Sequence, residues 1–99
     1  MPYIKSDDRK PIDKTVKKLS DQLSCAGDFN YAFTQLIHLH INKVGMRYQN
    51  LNDMIGMLEC AKLELYRRVV SPYEDDKIRE NGDVLVLNYL RDALDDMMR

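Results

Sequence analysis

Ninety-nine residues at 11.6 kDa carry too little apolar area for two cores, so the length predicts one domain over 1–99. Charged residues at 31% and hydrophobic residues at 44% fit a folded globular chain and exclude a disordered or collagen-like one. Fifteen Lys and Arg against sixteen Asp and Glu leave a net charge of −1, which excludes a global field that would drive the protein onto nucleic acid or anionic lipid.

The longest apolar run, Val84 to Leu87, is far short of the roughly 20 residues needed to cross a bilayer. Met1 to Lys10 is polar and lacks the apolar stretch of a secretory signal, which predicts a cytoplasmic protein. Cys25 and Cys60, with His38 and His40 as the imidazoles, match no zinc pattern, and a reducing cytosol disfavours a disulfide between them. The two histidines lie about 200° apart round a helix and cannot share a metal.

Pro11 suits a first helical turn, and Ile12, Val16, Leu19 and Leu23 follow at helical spacing, predicting a helix over about 11–24 stopped by Gly27. Lys10, Lys14, Lys17 and Lys18 line its other face with Asp13 and Asp21 between them, a mixed and solvated surface that lacks the interleaved aromatics of a nucleic-acid site. Asp28 is placed as the cap of a second helix, about 28–44, whose wide apolar face predicts the most buried element. Phe29, Phe33 and, from the third helix, Leu58 are expected in the core. Asn50 or Asn52 would cap that third helix over about 51–70.

Ser71-Pro72-Tyr73-Glu74 reads as a capping box, which starts a fourth helix over about 72–81. Asn81-Gly82 either ends it or is absorbed in a longer helix, since Gly within a helix costs only about 1 kcal/mol. A last helix, about 84–98, places Leu87, Leu90, Leu94 and Met97 on a narrow seam suited to another helix. The fold expected is therefore an all-α bundle of four to five helices. Its marginal burial and six Met predict completion by a second or further copy of the chain.

The densest polar group is Arg67, Arg68, Tyr73 and Lys77 at one helix-to-helix junction. Guanidinium groups, a helix N-terminus and an aromatic ring are what a phosphate-bearing nucleotide uses. Glu64 lies three and four residues before the two arginines, so ordinary surface pairs of about 0.3–0.5 kcal/mol also explain them. Glu80 and Asp83 would lie about 60° apart on an unbroken helix, close enough to share one magnesium ion; on a broken one Asp83 is an N-cap. Cys60, on a largely apolar helix, reads as a small buried hydrophobe rather than a nucleophile.

Gly56 to Glu64 followed by Glu80 to Leu85 resembles the MazG-type all-α nucleoside triphosphate pyrophosphatases, which pair an E-E-x-x-E helix with a later E-x-x-D helix. Glu80 and Asp83 match the second motif; Cys60 and Leu63 stand where the first has carboxylates. The resemblance implies a magnesium-dependent pyrophosphatase whose catalytic and metal-binding residues would be Glu64, Glu80 and Asp83.

A broader resemblance runs through Met1-Pro2-Tyr3-Ile4, Gly27 to Tyr31, Leu58 to Val69, Pro72 to Asp75 and Asn81-Gly82-Asp83. These stretches are similar to a family of short uncharacterised proteins common in bacteriophages and their hosts. That setting implies a small oligomer in the host cytoplasm that counters host defence by trapping a nucleotide signal or binding a defence protein.

The leading expectation is a binding protein that holds a phosphate-bearing nucleotide at Arg67, Arg68, Tyr73 and Lys77 and requires no cofactor. The alternatives are the pyrophosphatase, with magnesium, and a protein-interaction module or inhibitor with no small-molecule ligand.

Overall fold

A computed structural model describes residues 1–98 as an all-α protein. Its helices are α1 (Ser6–Ser20), α2 (Ala26–Val44), α3 (Tyr48–Leu65), a π-helical turn (Tyr66–Val70), α4 (Ser71–Asn81) and α5 (Asn88–Met97). They divide into two compact units, Met1–Lys62 and a second that begins at Leu63.

In the first unit, α1 begins five residues earlier than Pro11 suggests, and Pro11 lies inside it. Asp7 and Asp8 occupy the first turn, where negative charge complements the helix dipole. The amide that Pro11 lacks belongs to the turn just after them. Gly27 does not stop this helix. Backbone N–H groups of Gln22 and Leu23 donate to Leu19 and Ser20 at 2.9 and 3.1 Å, so the last turn tightens and ends before Gly27, which lies within α2.

Asp28 serves the start of α2 from the third helical position, not from the cap. The cap residue is Cys25, in extended conformation, and the Asp28 carboxylate reaches back to accept from Ser24. At the other end Gly45 takes φ 103°, and its N–H donates to Ile41 at 2.8 Å.

Asn50 likewise acts on a different helix end from the one its residue type suggests. Its Nδ2 donates to the carbonyls of Val44 and Gly45 at 3.1 and 3.0 Å. It thus satisfies the orphan acceptors at the end of α2 while α3 starts at Tyr48.

No Cα of α2 lies within 8 Å of a Cα of α3, whereas directly packed helices have axes 8–10 Å apart. Between them runs a groove of about 300 Å³. Only Ala32 and Ile41, both on α2, are buried among the described residues.

In the second unit α4 begins at Ser71, beside the expected start, but as a continuation of the π turn and not as a newly capped helix. Ser71 has helical φ and ψ of −60° and −49°, without a side-chain cap, and its N–H donates to Tyr66 five residues back. Proline in a helix loses one amide and presses its ring against the carbonyl four residues earlier. The π turn immediately before Pro72 widens the helix where that carbonyl lies, and the chain stays helical through the proline.

Gly82, at φ 91°, ends α4, with its N–H bonded to Ile78 at 2.9 Å. Residues 82–87 are not helical, so the last helix starts at Asn88 and not at 84. Asp83 neither continues α4 nor caps α5: its Oδ1 accepts the Leu85 N–H at 3.0 Å, a local turn of the kind aspartate favours. The Arg91 guanidinium donates to the Leu85 carbonyl and ties this segment to α5.

Candidate functional site

Arg67 and Arg68 both lie within the π turn. They share one carboxylate: Arg67 Nη2 is 3.3 Å from Glu64 Oε2, and Arg68 Nε is 3.9 Å from Glu64 Oε1. The Glu64 side chain is the more covered partner and the guanidiniums face solvent. Two positive charges against one negative leave this triad with a net charge of +1.

Tyr73 and Lys77 stand one turn apart on α4, with the ammonium 5.5 Å from the ring centroid, within the range of a cation–π contact. Lys77 also pairs with Glu80 at 3.1 Å, so this second group is electrically balanced. The four residues therefore form two pairs: Arg67 with Arg68 through Glu64, and Tyr73 with Lys77.

Tyr66 and Glu74 link across the proline. The Glu74 carboxylate pushes the Tyr66 phenol above its ordinary value, first by hydrogen bonding to the hydroxyl and then by its charge, with desolvation and the charge of Asp75 adding to the effect. Sequence spacing gave no warning of this pair, because an eight-residue separation is not a neighbour relation on a regular α-helix.

Glu64 is engaged by arginines, Glu80 by Lys77, and Asp83 by a backbone amide beyond the Gly82 turn. The unbroken helix that would have set Glu80 beside Asp83 is interrupted at Gly82. Among the described residues no group of three or more His, Cys, Asp and Glu side chains is placed to hold a metal ion.

The apolar residues depart furthest from expectation. Phe29, Phe33 and Leu58, expected in the core, are 41%, 51% and 40% exposed; for Phe33 and Leu58 the reason is that the groove between α2 and α3 is not filled from within the unit. Phe33, Leu36, Ile37, Met54, Met57, Leu58 and Ala61 line it. Cys60, expected to be buried, is exposed, as are Cys25, His38 and His40. The α5 seam of Leu87, Leu90, Leu94 and Met97 is also exposed. No described helix is long and apolar enough to cross a membrane.

Neither the curated proteins nor the solved structures include a match to this chain. A family model does match it over residues 1–84, a span that takes in α1 through α4 and the Gly82 turn but not α5. The chain belongs to that family, described as a domain of unknown function (DUF6899).

Proposed function

We propose that this chain is a binding protein that takes a phosphate-bearing anion at its π turn, through Arg67 and Arg68, with Tyr73 and Lys77 on the following helix available to a nucleotide's base and further phosphates. The observation that carries this reading is the coincidence of two features. π turns are rare and occur frequently at functional sites, and this one presents two adjacent guanidiniums that share a single carboxylate.

Guanidinium matches phosphate through paired N–H donors. An incoming phosphate competes with the Glu64 carboxylate for these groups. In the host-cytoplasm setting implied by the bacteriophage resemblance, holding a nucleotide signal withdraws it from its receptor. The engaged state of Glu64, Glu80 and Asp83 supports holding over turnover.

The test is native mass spectrometry and calorimetry of the purified chain with linear and cyclic nucleotides and with inorganic phosphate. Product analysis is run on the same samples. Retention without turnover is expected, with loss of at least tenfold in affinity in Arg67→Glu/Arg68→Glu and an unchanged helical circular dichroism spectrum. Equal affinity in the double variant overturns the site, and hydrolysis of a nucleotide overturns the assignment to binding alone.

A further inference from the structure

We infer that the groove between α2 and α3 is an interface with a second copy of this chain. The inference is independent of the anion site, which lies in the other unit.

The first argument is area. Phe33, Leu36, Met57 and Leu58, which line the groove, are each about two-fifths to one-half exposed. A large apolar side chain at that exposure presents roughly 100 Å², so these four offer about 400 Å². That is within the roughly 300–600 Å² of the largest patch on a typical monomer and about half of the ~800 Å² that each partner contributes to a standard stable interface.

The second argument is what this surface lacks. The groove lining contains no charged side chain. A two-fold contact sets each side chain against the same patch on its mate, so a charged lining would place like charge near like charge. An uncharged lining meets itself without that penalty.

The third argument is dependence. With only Ala32 and Ile41 buried, the first unit has little core of its own, and its folding is coupled to whatever fills the groove. A second copy is present wherever the chain is synthesised. The separation of α2 from α3 leaves room for apolar side chains of the second copy to enter.

The experiment is light scattering on the full chain from low to high micromolar concentration, beside photo-cross-linking of protein carrying a photoactivatable methionine analogue. Cross-linking uses a mixture of isotope-labelled and unlabelled chains, so that links between copies are distinguished from links within one. The expected result is about twice 11.6 kDa, with mixed-label links from Met54 and Met57 into α2 or α3 of the other copy. Leu36→Glu should halve the mass, or weaken association at least 100-fold, while Lys14→Glu on α1 leaves it unchanged. Because cross-linking is done on the natural sequence, it decides the matter even where Leu36→Glu fails to fold. A monomer throughout, links from Met54 and Met57 confined to one chain, or a dimer linked only through α1 or α5 each overturn the inference.

Discussion

Asp28 Oδ2 accepts two hydrogen bonds from Ser24, one from its backbone N–H at 3.0 Å and one from its hydroxyl at 3.1 Å. The first turn of α2 is thus fastened to the residue before its cap. The backbone bond first, and then those from the Ser24 and Cys25 side chains, hold the Asp28 carboxyl below its ordinary value of 3.8. A carboxylate whose folded value is depressed stabilises the fold fully above the unfolded value, and that contribution is lost as pH falls through the folded one. Asp28→Asn should therefore lower the thermal midpoint at pH 7, and its difference from the parent should close below about pH 3.8. Ser24→Ala, which keeps the backbone donor, should lose only part of the effect. Thermal melts of the three proteins from pH 2.5 to 7 measure this; a gap that stays constant across that range would refute it.

Gly45 and Gly56 make opposite predictions from the same substitution. Gly45 has φ 103° and ψ 158°, a region essentially reserved for glycine, so Gly45→Ala should destabilise by about 1–3 kcal/mol although nothing crowds the added methyl group. Gly56 lies inside α3 with open space where a Cβ would go, so Gly56→Ala should stabilise by about 0.5–1 kcal/mol. Denaturant unfolding gives both values, and the signs must differ.

Glu64 restrains both arginines of the π turn, which gives the anion site a gain-of-function test. Glu64→Gln removes the competing charge while keeping the side chain's size. Affinity for inorganic phosphate should rise several-fold, with a steeper dependence on salt. A fall in affinity would mean that Glu64 positions the guanidiniums more than it competes for them, and the site would have to be redrawn around that carboxylate.

The all-α class was legible because apolar residues recur at helical spacing from Ile12 to Met97, whereas residue types left open whether the helix passes through Asn81-Gly82, and the structure ends it there with Gly82 at positive φ. What misled were residues with two compatible uses. Asn50 and Asp28 are both good N-caps in isolation, yet Asn50 finds the loose carbonyls of α2 and Asp28 reaches back from the third position. Ser71-Pro72 carries every local mark of a helix start, and only the hydrogen-bonding of the turn before it reveals that the helix passes through. The grouping of Arg67 with Arg68 follows from adjacency and from Glu64, whereas the Tyr66–Glu74 contact depends on the π turn, which no pattern of residue types announces. The exposure of Phe29, Phe33 and Leu58 was hidden for a different reason. Periodicity shows that a face is apolar, not whether the chain itself covers it.

That π turn can be followed through Tyr66. Its phenol is raised above 10 by the Glu74 carboxylate, which accepts its hydrogen bond and repels the phenolate. Since the folded value is raised, the interaction stabilises fully below the unfolded value near 10 and is lost as pH climbs through the folded one. Glu74→Gln should bring the Tyr66 titration, followed by NMR of labelled tyrosine rings, back toward 10. Tyr66→Phe should abolish that part of the alkaline loss of stability. Both outcomes require the carboxylate to act on the hydroxyl across Pro72, so a Tyr66 that titrates identically in the parent and in Glu74→Gln would remove that contact.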